Sequence, residues 1–151
     1  MSSIIEFDTG YLNTTPGKYK VSCLTLGALG LLACYISGIY GYRYQYLASF
    51  AFLVTVILLL VLICKASLRQ SSVWLKVEVV ICVILTICYI VATVDILTLC
   101  WNYLFNYTFN LGRVIGSIIA TICSILALLT YTSDTRLKCR EVSGSGSTSN
   151  V

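Results

Sequence analysis

The chain has 151 residues, of which 58% are hydrophobic and 11% charged, and its mean hydropathy is +0.91. A soluble domain carries about a quarter charged residues, and a water-soluble fold of this size leaves much of its surface in solvent, so the composition excludes that class. The net charge of +4 accompanies no soluble basic face and no readout motif, and we therefore expect no nucleic-acid partner.

Four apolar segments are long enough to cross the hydrocarbon core, which takes about 20 residues of helix. They cover residues 21–40, 47–64, 77–99 and 112–131. We predict an all-α membrane protein, a four-transmembrane-helix bundle formed by residues 16–132. A tail of residues 1–15 precedes this domain, and residues 133–151, rich in Gly and Ser, are expected to be disordered. The first span would itself be the targeting signal, without cleavage.

The basic residues predict the orientation of the spans. Eight of the ten Lys and Arg lie before the first span, after the fourth span or in the loop between the second and third spans. Because cytoplasmic loops carry the excess of Lys and Arg, we expect both termini in the cytoplasm.

The lead-in to the first span contains the only proline, Pro16. Proline loses nothing in the first turn of a helix, and Thr14 or Thr15 offers a capping oxygen. We expect a helix start here, with Lys18 and Lys20 at the lipid headgroups.

The stretch YLNTTPGKYKVSCLTLGALGLLACYI, from residue 11, resembles the opening of a MARVEL domain. The start of the third span, VWLKVEVVICVILTICYIVAT, resembles the same family in its aromatic residue followed by an acidic one. The resemblance covers about residues 11–132, and its nearest branches are the chemokine-like-factor MARVEL proteins and the plasmolipin/MAL proteins. At Asn13 the family often has a basic residue, and this chain lacks that charge.

This resemblance implies a non-enzymatic protein of the plasma membrane or vesicles, which organises membrane domains or escorts partner proteins in vesicle traffic or at cell junctions. The expected partners are membrane lipids and other membrane proteins, or a second copy of the chain. The sequence has no His and no catalytic constellation, and we expect no enzyme activity and no cofactor or metal. The alternative is a small channel or transporter subunit that uses Asp95 and Arg113. A secreted chemokine-like ligand is disfavoured by four uninterrupted spans.

Small residues recur at four-residue spacing in two spans, a pattern that lets membrane helices approach closely. They are Gly112, Gly116, Ala120 and Ser124 in the fourth span, and Ala33, Ser37 and Gly41 in the first. Packing within the bundle is the favoured interpretation, and an oligomer face is the other.

Two acidic residues lie within the third span. Glu78 is in its first turn, where the helix dipole and nearby Lys76 favour a negative charge. Asp95 lies deeper, where a carboxylate costs about 2.5–3.5 kcal/mol. It would snorkel, line a polar cavity or, as we prefer, pair with Arg113.

Several residues are candidates for modification or recognition. Cys64 and Cys139 stand beside basic residues, as palmitoylated cysteines do, and Asn106 begins a glycosylation sequon. Ser149 and Val151 fit a C-terminal ligand for a PDZ scaffold. Residues 101–109 alternate aromatic and polar side chains, which indicates a strand or a segment lying in the headgroups, or equally a protein-contact surface.

Overall fold

The structure, a computed structural model, describes residues 9–39, 43–65, 71–105 and 110–147. A short 3₁₀ helix, Thr9–Asn13, precedes four α-helices. The α-helices are α1 (Thr15–Ile36), α2 (Arg43–Cys64), α3 (Ser72–Phe105) and α4 (Leu111–Ser147). All four are long and apolar enough to cross a membrane, and the described ranges contain no strand. The predicted all-helical, four-span class is confirmed, and the protein is an integral multi-pass membrane protein.

The start of α1 is fixed by the residues around the proline. The Thr14 hydroxyl accepts a hydrogen bond from the Gly17 N–H at 3.3 Å, which caps the helix, and Pro16 occupies its first turn. Gly17 packs so closely on the Tyr11 carbonyl that a Cβ would overlap it. The predicted helix start is confirmed, although α1 begins six residues before the predicted span boundary at residue 21.

The end of α1 is a Schellman motif. Gly38 has φ of +70°, and the N–H groups of Gly38 and Ile39 donate to the carbonyls of Tyr35 and Cys34. This turn buries Ile39 against the neighbouring helices and ends the helix before residue 40.

The helices are neighbours in the order α1, α2, α3, α4 and back to α1. Glycines in α1 make room at the centre for tyrosines of other helices. A Cβ at Gly27 would lie 3.0 Å from the Tyr89 hydroxyl oxygen of α3, and a Cβ at Gly30 would overlap the Tyr44 hydroxyl of α2. Both tyrosines are 1% exposed, so the small α1 residues let large side chains fill the interior.

Hydroxyl groups join helices inside the bundle. The Thr55 and Tyr131 hydroxyls are 2.5 Å apart between α2 and α4, which stand diagonally across the bundle. Thr93 and Ser124 are 2.8 Å apart between α3 and α4. Such bonds between membrane helices contribute on average about 0.6 kcal/mol each.

The outward faces are a continuous apolar wall. Leu, Ile, Val and Phe side chains that are exposed along α2, α3 and α4 include Leu53, Ile57, Ile87, Val94, Ile122 and Leu129. No charged side chain is exposed between residues 44 and 64 of α2, 77 and 105 of α3, or 114 and 133 of α4, which is the arrangement that the hydrocarbon core requires.

All four helices are longer than the predicted spans, and α3 and α4 exceed theirs by more than ten residues. At 34 and 37 residues, α3 and α4 reach about 51–56 Å at 1.5 Å per residue, well beyond the hydrocarbon core. Residues 101–105 are the last turns of α3, so the prediction of a strand is wrong for them, while a position in the headgroups stays a prediction and residues 106–109 lie outside the described residues. Residues 133–147 continue α4, so the predicted disordered tail is wrong there as well.

Candidate functional site

Four charged side chains from three helices meet inside one end of the bundle, the end at which α1 begins and α4 finishes. We call this group, Lys20, Glu78, Asp134 and Lys138, the charge cluster. Lys20, Glu78 and Asp134 are each 2% exposed and Lys138 is 6% exposed. Burial of four ionisable groups within membrane helices is costly unless the groups pair.

The ion pairs of the charge cluster form a chain of alternating sign. The Lys20 Nζ lies 2.7 Å from Glu78 Oε1 and 3.1 Å from Asp134 Oδ2. The Lys138 Nζ lies 3.4 Å from Glu78 Oε2. Two cations and two carboxylates therefore cancel, and each charge has an opposite charge within reach. Replacing one member by a neutral residue would leave a buried charge uncompensated, at a cost of about 3–5 kcal/mol.

Helix periodicity brings these side chains inward. Lys20 shares the buried face of α1 with Gly17, Cys23 and Gly27, at steps of three or four residues. On α4, Asp134 and Lys138 continue the buried line of Ala127 and Tyr131. Each charge thus occupies a position that an apolar residue would otherwise fill.

Neutral groups surround the charge cluster. The Cys82 thiol donates to Asp134 Oδ2 at a sulfur–oxygen distance of 3.7 Å. Tyr11, from the 3₁₀ helix, is 4% exposed and closes the cluster from outside the spans. Burial raises the pKa of the Tyr11 hydroxyl to about 12, against the opposing effect of Lys20, so this phenol stays neutral beside the charge cluster.

A cavity of about 210 Å³ adjoins the charge cluster. Its lining combines charged, aromatic and apolar side chains: Tyr11, Thr14, Pro16, Trp74, Leu75, Glu78, Lys138 and Glu141. The Trp74 Nε1–H is buried and has no hydrogen-bond partner among the described residues. Lys138 also approaches Glu141, at 3.8 Å, and the Glu141 side chain is 44% exposed.

The expectations for Lys20 and Glu78 are wrong. Lys20 does not extend to the headgroups, and Glu78 pairs with Lys20 and Lys138 while Lys76 is exposed. Lys20 is held inward because two carboxylates face it. The sequence alone did not indicate Asp134 and Lys138 as site residues, because they lie in a polar segment. Their four-residue spacing, on the same helix face as Tyr131, could have indicated that they point into the bundle.

Asp95 and Arg113 are not brought together. No ion pair joins these two described residues, and the Arg113 side chain is exposed. Asp95 is partly buried, and its Oδ2 has no hydrogen-bond partner in the described part of the chain. It lines a cavity of about 240 Å³ with Arg43, Thr98 and Leu99, so the preferred pairing is replaced by the cavity alternative.

The small-residue stripe of α4 lies mostly within the bundle. A Cβ at Gly116 would overlap the Ser37 side chain and lie 3.1 Å from the Ala33 carbonyl oxygen. Ala120 is 0% and Ser124 is 1% exposed, whereas Gly112 is exposed. The stripe therefore joins α4 to α1 and α3, the favoured interpretation, and it is not available as an oligomer face.

The remaining candidates divide between described and undescribed positions. Cys64 is half-buried at the end of α2, and Cys139 is exposed on α4. Gly41, Asn106, Ser149 and Val151 lie outside the described residues.

Comparison of the chain with protein-family models, with curated proteins and with solved structures finds no match. The MARVEL resemblance therefore stays a prediction.

Proposed function

We propose that this protein is a non-enzymatic, MARVEL-like organiser of membranes, which gathers lipids and partner proteins along its lateral surface. It would act in membrane domains, in vesicles or at cell junctions. The observation that carries the proposal is the division of the bundle into an interior whose polar groups mostly pair with one another and an apolar outer wall.

Most polar groups of the interior pair with one another, and the Trp74 Nε1–H and the Asp95 Oδ2, both at cavities, are exceptions. The charge cluster is balanced, and the Thr55–Tyr131 and Thr93–Ser124 bonds hold helices to each other. Gly116 and Ala33 are occupied by contacts between α1 and α4. What such a bundle offers to other molecules is its outer surface and its polar ends, which is where an organiser acts.

Both ends of the chain would be cytoplasmic in this proposal, as the distribution of Lys and Arg favours. A PDZ scaffold that binds Ser149–Val151 would then connect the bundle to the cytoplasmic side of the membrane. Palmitoylation of Cys64 or Cys139 would add an acyl chain, and with it a preference among lipids, at the cytoplasmic face of the membrane.

A channel or transporter subunit is the second candidate. It is favoured by Asp95, whose unpartnered Oδ2 borders the 240 Å³ cavity with Arg43. Its original basis, the Asp95–Arg113 pair, is not formed. If a flux of ions or solute depends on the protein and disappears in Asp95→Asn, the transport function replaces the organising one.

Site-specific photo-crosslinking in cells tests the organising role. A photoreactive side chain would replace Ile57, Ile87 or Ile122, which lie on three different helices and are 53%, 55% and 53% exposed. The matched control replaces Ala127, which is 0% exposed. We expect a discrete protein adduct, from a partner or a second copy, from at least one outward position and none from Ala127.

Crosslinks to lipid alone from all three outward positions would contradict the proposal. A parallel pull-down in mild detergent compares the full chain with a chain lacking residues 149–151. Loss of a scaffold protein with the tail, while the membrane partner remains, would separate the two kinds of contact.

A further inference from the structure

The cavity beside the charge cluster has the features of a ligand site. Its volume of about 210 Å³ is far above the roughly 10–15 Å³ that one water molecule needs, so it accommodates a group of several non-hydrogen atoms. It is formed jointly by the 3₁₀ helix and the starts of α1 and α3 together with the last turns of α4.

Two donors in this cavity can each donate a further hydrogen bond to an anionic oxygen. The buried Trp74 Nε1–H has no acceptor among the described residues, and a buried unpaired donor calls for a partner. The Lys138 Nζ lies 3.4 and 3.8 Å from its two carboxylates, longer than the roughly 2.7–2.9 Å of a full charge-assisted bond. A phosphate oxygen between Trp74 and Lys138 would satisfy both.

The charges of the cavity lining and the charge cluster favour a ligand that also carries a cation. The charge cluster is neutral, and Glu141 at the cavity adds one negative charge. A purely anionic ligand would leave the Glu141 carboxylate without a counter-charge inside the cavity, whereas an ammonium group would neutralise it. The Glu141 side chain is 44% exposed, so it can be reached from the cavity mouth.

We propose that this cavity binds the headgroup of a zwitterionic phospholipid, with the phosphate at Trp74 and Lys138 and the ammonium group at Glu141. A lipid is favoured over a soluble molecule because Trp74 begins a membrane-spanning helix, the level at which tryptophans meet the headgroups. Pro16 and Leu75 give the lining an apolar side suited to the start of the acyl chains. The site requires only membrane insertion and does not depend on the organising role.

Native mass spectrometry of the full chain in detergent tests the site, with dioleoyl phosphatidylethanolamine, phosphatidylcholine and phosphatidylglycerol added in equal amounts. We expect the two zwitterionic lipids to remain bound at several times the level of the anionic one. Trp74→Phe keeps the ring and removes the N–H, and it should lower this retention about tenfold, the effect of one hydrogen bond to a charged group.

Two further variants separate recognition from structure. Trp101→Phe changes a tryptophan at the other end of α3 that is 62% exposed, and it should retain lipid like the unmodified chain. Glu141→Gln removes the extra negative charge at an exposed position, so the fold should persist while the preference for zwitterionic over anionic lipid disappears.

Three results would overturn the proposal. One is retention of phosphatidylglycerol as strong as that of the zwitterionic lipids in the unmodified chain. Another is equal lipid retention by Trp74→Phe and Trp101→Phe. The third is displacement of bound lipid by millimolar soluble phosphoethanolamine, which would assign the site to a free phosphate compound.

Discussion

Lys20 supplies the shared counter-charge of two buried carboxylates, since its Nζ lies 2.7 Å from Glu78 and 3.1 Å from Asp134. The nearby Lys18 has the same chemistry but is exposed. These two lysines lie two residues apart on one helix but contribute differently to stability. Loss of the Lys20 charge leaves buried carboxylates uncompensated, whereas loss of the exposed Lys18 charge does not.

Replacing Lys20 should destabilise the bundle strongly. We expect Lys20→Met to lower the free energy of unfolding by about 3–5 kcal/mol, because Asp134 is left without a cation. Lys18→Met is the matched control and should change it by no more than about 0.5 kcal/mol. Thermal denaturation in detergent, followed by size-exclusion chromatography, measures the difference.

A second substitution should rescue the first. Adding Asp134→Asn to Lys20→Met restores neutrality, since Glu78 keeps Lys138 as its cation. We expect the double variant to regain most of the lost stability. Equal melting of Lys20→Met and Lys18→Met, or no rescue in the double variant, would contradict the assignment of the charge cluster.

The glycines of the α4 stripe also differ in how much a substitution should destabilise the bundle, because one is buried and the other is exposed. Gly116→Ala places a methyl group against Ser37 and should cost about 1–3 kcal/mol by pushing α1 and α4 apart. Gly112→Ala meets only the Asn110 side-chain oxygen, at 3.4 Å, and should be close to neutral. If both variants melt alike, α1 and α4 do not meet at Gly116.

At the scale of the helices, the last turns of α4 matter because they carry two members of the charge cluster. Asp134 and Lys138 hold α4 to α1 and α3 beyond the apolar part of the span. The helix therefore continues where composition alone indicates a tail, because tertiary ion pairs outweigh local preference.

Truncation of α4 should give an order of stability that does not follow chain length. Ending the chain after Ser143 keeps the whole charge cluster and should leave stability unchanged. Ending it after Leu137 removes Lys138 and leaves Asp134, so an excess buried negative charge remains. Ending it after Ser133 removes both and leaves the neutral Lys20–Glu78 pair.

We therefore expect the chain that ends at Leu137 to be less stable than the shorter chain that ends at Ser133. Thermal denaturation of the three purified chains, with circular dichroism to check helix content, measures this order. A steady loss of stability with each further truncation would show that helix length, and not charge balance, governs this end of the bundle.

The spans could be predicted because a helix that crosses the hydrocarbon core of the membrane needs an apolar run of a certain length. Such runs can be read directly in the sequences of α2 and α3. The start of α1 could be predicted because Thr14, Pro16 and Gly17 act locally. The charge cluster could not, because Lys20, Glu78 and Asp134 are far apart in sequence, and periodicity within a helix does not say which helix stands opposite. The same limit explains the choice of Arg113 as the partner of Asp95.

At the scale of the whole molecule, orientation in the membrane follows from where Lys and Arg collect. The end of the bundle with the charge cluster also carries most of the other basic residues, including Lys65, Lys76 and Arg140. The proposal that this end faces the cytoplasm has a direct chemical test at Cys139, which is exposed on α4.

A membrane-impermeant maleimide should label Cys139 only after the cells are permeabilised. Cys139→Ser should lose that labelling. Treatment with hydroxylamine beforehand, which cleaves thioesters, should increase the labelling if Cys139 is palmitoylated. Labelling of Cys139 in intact cells would reverse the proposed orientation.

The composition of the charge cluster also sets an order for biosynthesis. The ribosome makes Lys20 long before Glu78, and Asp134 and Lys138 come last. A nascent chain therefore holds the unmatched charge of Lys20 in the bilayer until α3 brings Glu78 opposite it, and α4 then adds one further charge of each sign. A chain that stops before α3 is thus left with a lone buried cation, a feature by which membrane-protein quality control can distinguish it from a chain whose third helix is in place.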